Sequence, residues 1–67
     1  MNRIKEIREK KKVSQVSLSI KAGVSQPFLC DLENGRRGAK PDTLKRIAEA
    51  LGVDVLDLEE AADGKAV

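Results

Sequence analysis

Histidine is absent from the chain, and cysteine occurs once, at Cys30. A structural zinc site needs several soft ligands, so none can be built here. No nucleophile and base can be paired from histidine or a second thiol, which removes the usual covalent catalysts. One cysteine cannot close an internal disulfide, so a reducing cytoplasm is the expected compartment. The aromatic residues amount to a single phenylalanine, leaving leucine, isoleucine, valine and alanine to build the core. No apolar run approaches the roughly 18 residues of a membrane span. There is no glycine-rich phosphate loop either, because Gly35 and Gly38 have the wrong context. Asp54, Asp57, Glu59 and Glu60 cluster, but in a helical segment without the turns of a calcium loop, so they read as solvated surface. The opening Met1-Asn2-Arg3 is charged rather than signal-like. No cofactor, metal, membrane or small-molecule ligand is expected, and an enzyme is not expected.

What is present is a short chain with uneven charge. Sixty-seven residues make one domain. A domain of this size buries only about 60% of its unfolded surface, so its stability margin is narrow. The net charge is +2, but residues 1–12 carry +4, residues 13–34 carry −1, residues 35–50 carry +3 and residues 51–67 carry −4. A chain basic over most of its length and acidic at one end suits a polyanion on one side only. The alternative is ordinary solvated surface charge, the default reading for a helix without a recognition motif.

The stretch from Ser14 to Arg37 organises the rest. Ser14 is a good N-cap for a helix over residues 15–22, because its hydroxyl can accept from a free N–H of the first turn. Gly23 follows, a residue that tolerates positive φ and suits a helix stop with a sharp change of direction. Ser25 caps a second helix, and Pro27 fits its first turn, where most N–H groups lack partners anyway. That helix starts at Gln26 and ends near Asn34-Gly35. Helical projection buries Leu29 and Leu32. Cys30, Asn34, Pro27 and Asp31 lie opposite, with Gln26 at the rim. This outer face is polar or small, and Arg36 and Arg37 follow directly. A helix of that build has the width a major groove admits.

Helices are also expected on either side. Asn2 can cap one over residues 3–11, with Ile4 and Ile7 inward and Val13 anchoring its exit. Lys10, Lys11 and Lys12 then complement its dipole or attract phosphate, and both can hold together. Beyond the basic loop Arg36-Arg37-Gly38-Ala39-Lys40, Pro41 and Asp42 open a fourth helix. Leu44, Ile47, Ala48 and Leu51 give it an apolar face, and Gly52 stops it. Asp54 caps a fifth helix, with Val53 and Leu58 placed as a hydrophobic staple. Residues 61–67 are expected to fray, leaving 1–60 as the domain.

The set Ser14-Gln15, Leu18, Ala22-Gly23-Val24-Ser25-Gln26, Leu29 and Leu32-Glu33-Asn34-Gly35 resembles the helix-turn-helix of the Cro and lambda-repressor-like family. Arg8 upstream continues the resemblance, as do Leu44, Ile47-Ala48 and Leu51-Gly52-Val53 downstream. It covers roughly residues 2–60 and implies an all-α, compact five-helix DNA-binding domain. It also implies that Arg8 pairs with Glu33 as a structural ion pair. Gln15 resembles the family's glutamine that binds phosphate and braces Gln26. Ser19 departs from the family's usual alanine and must find a hydrogen bond. Val16 and Ile20 stand where the family has polar residues. They either pack against another helix or form an exposed apolar strip.

The expected function is sequence-specific binding of double-stranded DNA by a transcription regulator, a repressor, acting as a homodimer on a palindromic operator. Gln26 can bond adenine through two hydrogen bonds, and Asn34 can reach a base or phosphate. Pro27 and Cys30 can touch a thymine methyl, and Asp31 can accept from cytosine N4. Arg36, Arg37 and Lys40, with Gln15, would hold phosphates, which positions without reading sequence. A redox role for Cys30 lacks an adjacent base or second thiol. Leu56 is the candidate dimer contact, being apolar yet off the core face. The rival reading is a protein-interaction module of antitoxin type, working through Val16, Ile20 and Leu56.

Overall fold

The computed structural model describes residues 2–58. The chain forms α1 (Ile4–Lys10), α2 (Gln15–Ala22), α3 (Gln26–Glu33) and α4 (Pro41–Leu51), then a 3-10 turn at Val55–Leu58. The described residues contain no strand, so the class is all-α. None of their helices is long and apolar enough to cross a membrane. The tail at 61–67 lies outside the described residues.

Five helices were expected, and the fifth is corrected to a single 3-10 turn. The Asp54 side chain accepts from the Leu56 N–H at 3.0 Å, and Asp57 returns the favour by accepting from the Asp54 N–H at 3.2 Å. This reciprocal cap starts a helix properly. The far end is committed elsewhere, because the Leu58 carbonyl accepts from the Arg3 N–H at 2.7 Å. A turn pinned at both ends closes the domain but leaves a segment too short to hold an α-helix by itself.

α1 begins one residue later than expected, with Arg3 in the cap position and no side-chain cap bond. Asn2 still covers a free donor, accepting from the Ile4 N–H at 3.1 Å, and donates to the Leu32 carbonyl at 2.8 Å. It thereby ties the start of the chain to the end of α3. Ser14 and Ser25 cap α2 and α3 by accepting from the N–H groups of Ser17 and Phe28. Gly23 turns between them at φ 73°, in the left-handed region. That turn aims α3 across α2.

The core is drawn from every element. Ile4, Leu18, Leu29, Ile47 and Leu58 are fully buried, with Ile7, Ala22, Leu32, Ala48 and Leu51 around them. Each fully buried side chain of this size contributes about 1.5–3 kcal/mol. Leu44 and Val55 pack at its edge, half-buried. Ser19 is buried and donates to the Val16 carbonyl at 2.7 Å, which satisfies its hydroxyl. Among the described residues, Val16 and Ile20 are left exposed, at 48% and 75%.

Candidate nucleic-acid interface

A hydrogen-bonded chain runs from the core to the exposed start of α3. Arg8 donates from Nε to Glu33 Oε2 at 2.7 Å and from Nη2 to Oε1 at 3.1 Å. Its Nη1 donates to the Val13 carbonyl at 2.9 Å, which also fixes the exit from α1. Both side chains are withdrawn from water, at 11% and 2% exposure. The bond to Glu33 holds the Arg8 guanidinium above its already high ordinary pKa, against the opposing effect of burial, and the charges of Glu33 and Glu9 help. Gln15 then donates from Nε2 to Glu33 Oε1 at 3.1 Å, and its own Oε1 accepts from Gln26 Nε2 at 3.2 Å.

The polarity of this chain follows from chemistry. An ionised carboxylate only accepts, so Gln15 must turn its NH₂ toward Glu33. Its carbonyl oxygen therefore faces Gln26, and Gln26 must answer with an N–H. The Gln26 amide is thus oriented from the core outward. Its Oε1 and second N–H remain for a partner, the acceptor–donor pair that fits an adenine edge.

The other α3 residues are placed as follows. Gln26 and Pro27 are exposed, and Cys30 and Asp31 half-buried. Asn34 caps the C-terminus of α3, and its Nδ2 folds back on the Cys30 carbonyl at 2.9 Å and on Cys30 Sγ at 3.5 Å. Asp31 Oδ1 accepts from Arg36 Nη1 at 3.2 Å. Arg37 lies with its guanidinium 4.8 Å from the centre of the Phe28 ring. Lys40 is exposed at the cap of α4. The structure thus brings together Arg8, Glu33, Gln15 and Gln26, and separately Asp31 with Arg36 and Cys30 with Asn34. Leu56, 73% exposed, stands apart on the 3-10 turn. Phe28 is the residue that reading the sequence missed. Its partner Arg37 lies past the helix end, where helical spacing gives no signal.

Two capped helices, a left-handed glycine between them and a braced, exposed second helix define a helix-turn-helix. The chain belongs to the helix-turn-helix family of the Cro and lambda-repressor-like kind, whose model matches residues 4–58. It is 43% identical over 53 residues to the immunity repressor protein of Bacillus phage phi105, covering 79% of this chain and 37% of that one. The chain therefore spans well under half the length of that repressor. The restriction-modification controller protein C.AhdI from Aeromonas hydrophila superposes with a TM-score of 0.80 at 25% identity, covering 82% of this chain and 83% of that one. The N-terminal DNA-binding domain of SinR from Bacillus subtilis does so with a TM-score of 0.76 at 29% identity, covering 97% and 91%. The family and these relatives are regulators rather than enzymes.

Proposed function

We propose that this chain is a sequence-specific, double-stranded-DNA-binding transcription regulator, a repressor, that lays α3 in the major groove. The orientation of Gln26 through Gln15 and Glu33 carries the reading. A glutamine held in one amide orientation before binding loses less freedom when it meets a base, so more of the contact appears as discrimination. Pro27, Cys30, Asp31 and Asn34 share the face, and Gln15, Arg36, Arg37 and Lys40 serve the phosphates. The names of the phage repressor and of the SinR domain support the same class. The working unit is a homodimer on a palindromic operator, and its place is with the DNA in the cytoplasm.

Selection of bound duplexes from a random pool, followed by gel shift, tests this. A recurring half-site, repeated about one helical turn away in inverted orientation, is the expected result. A pool that never converges would overturn sequence-specific reading. A second reading is favoured by Val16, Ile20 and Leu56, three apolar side chains left exposed among the described residues. Under it the chain is a protein-interaction module. A binding partner lost on Ile20→Lys, with no DNA retained in gel shift, would select that reading.

A further inference from the structure

We propose that Phe28 is a positioning residue for Arg37 at the DNA backbone, an inference that rests on the DNA-binding reading above. Phe28 is the only aromatic residue of the chain. It is half-buried against the core, and its N–H is taken by the Ser25 hydroxyl. Its ring is held by packing, and its backbone by the cap of α3. Arg37 has no such support from its own backbone, since it lies in the loop between α3 and α4 with Gly35 and Gly38 nearby. The ring supplies the support, with the guanidinium 4.8 Å from its centroid.

Stacking and phosphate binding use different parts of a guanidinium. The ring attracts the flat face, while the N–H donors lie in the plane and stay open at the edge. Arg36 differs in this respect. Its Nη1 donates to Asp31, and a carboxylate offsets its charge. Among the described residues, Arg37 is the one of the two neighbouring arginines whose partner is neutral and leaves its charge whole. Ordering it before DNA arrives removes part of the entropy cost of the contact. An exposed cation–π contact is worth about two- to fivefold in an equilibrium constant.

Fluorescence anisotropy over a potassium chloride series provides the test, with a duplex recovered by selection and a random duplex as probes. Phe28→Leu should weaken both about two- to fivefold. It should flatten the log–log salt slope toward that of Arg37→Ala, a change of at most about 0.9. Phe28→Tyr should bind like wild type, and Phe28→Leu should add nothing once Arg37 is alanine. Tyrosine keeps the ring and the bulk, so a fold lost in Phe28→Leu still leaves Arg37→Ala/Phe28→Tyr against Arg37→Ala to compare; a difference there, or equal losses from Phe28→Leu with and without Arg37, overturns the positioning role. Tighter binding by Phe28→Leu overturns it as well. Failure of the wild-type chain to bind either duplex overturns the DNA reading itself and this inference with it.

Discussion

At Glu33 a carboxylate only 2% exposed receives Arg8 through both oxygens and Gln15 through one. Such a group is tolerable inside only while its donors stay. Glu33→Ala would strand the Arg8 charge, at a cost of about 3–5 kcal/mol. Arg8→Ala would strand the carboxylate in the same way. The double variant should therefore be less destabilised in urea melts than the two single losses added together. Strict additivity would mean that the pair contributes nothing as a pair. Its dependence on pH through Arg8 has a definite sign. A folded pKa raised above the unfolded one gives stability that is whole below the unfolded value and lost as pH rises through the folded value. For arginine that window lies far into alkali, so neutral solutions never reach it.

Gln26 is the second residue at which the network can be read out. Gln26→Ala should cost about 1–3 kcal/mol on the selected duplex and much less on random DNA. Equal losses on both would make Gln26 a backbone contact. The site was partly legible in the sequence for a physical reason. Gln15, Gln26 and Glu33 stand at the termini of two helices whose caps and stops are local, so their approximate faces could be projected. The bracing of Gln26 by Gln15 was expected only from the family resemblance, and the Gln15–Glu33 bond was not expected, because a bond between residues 11 or 18 apart depends on how α2 crosses α3. Asn34 shows the same limit. The projection put it outward, and it is exposed, but its amide nitrogen turns back to Cys30.

Among the elements, the connections were the most readable part. Ser14, Ser25, Gly23 and Gly52 each act within a few residues of themselves, and local chemistry is written locally. The exit from α1 was not. Lys12 adopts φ 59°, the only positive value at a non-glycine residue among the described residues. Its lysine run reads as charge, and nothing in it announces a left-handed residue. The conformation is enforced from outside, by the Val13 N–H donating to the Arg8 carbonyl at 3.0 Å and by Arg8 Nη1 gripping the Val13 carbonyl. A side chain in this region costs about 1–2 kcal/mol, part of which glycine would give back as unfolded-state entropy. Lys12→Gly should thus stabilise the domain by about 0.5–1 kcal/mol, a rise in Tm of several degrees for so small a chain. A lower Tm would show that the left-handed exit is not strained. The 3-10 turn makes the complementary point. The Asp54 cap is local and was foreseen, whereas Asp57, read as solvated surface, completes it, and the Leu58 carbonyl is taken by Arg3 from far back in the chain.

On the scale of the whole molecule, the proposed function raises the question of how a domain with one short helix to lay in the groove would become selective. Useful discrimination over random DNA takes about 4–10 kcal/mol, more than the few base contacts of α3 supply. Two copies reading half-sites on one face of the duplex would reach it. The charge distribution says where they could meet. Residues 1–12 and 35–50 are basic, and residues 51–67 carry −4, so the end beyond α4 is the one that phosphates repel. Leu56 lies there, 73% exposed. A separate open groove of about 500 Å³ lies along α4 and the segment that follows it, lined by Leu44, Ala48, Val53 and Val55 and by the charged Asp42, Lys45, Glu49 and Asp54. Two-fold symmetry lets each copy offer its leucine to the other's groove, since a residue and its contact both occur twice across such an axis. The patch is small beside the roughly 800 Å² per partner of a standard interface, so the dimer should be weak and concentration-dependent. Sedimentation equilibrium without DNA should show dimers at high micromolar concentration, and Leu56→Lys should return the chain to monomer. A wild-type monomer throughout would leave pairing to the DNA, and a Leu56→Lys dimer would move the contact to Val16 and Ile20.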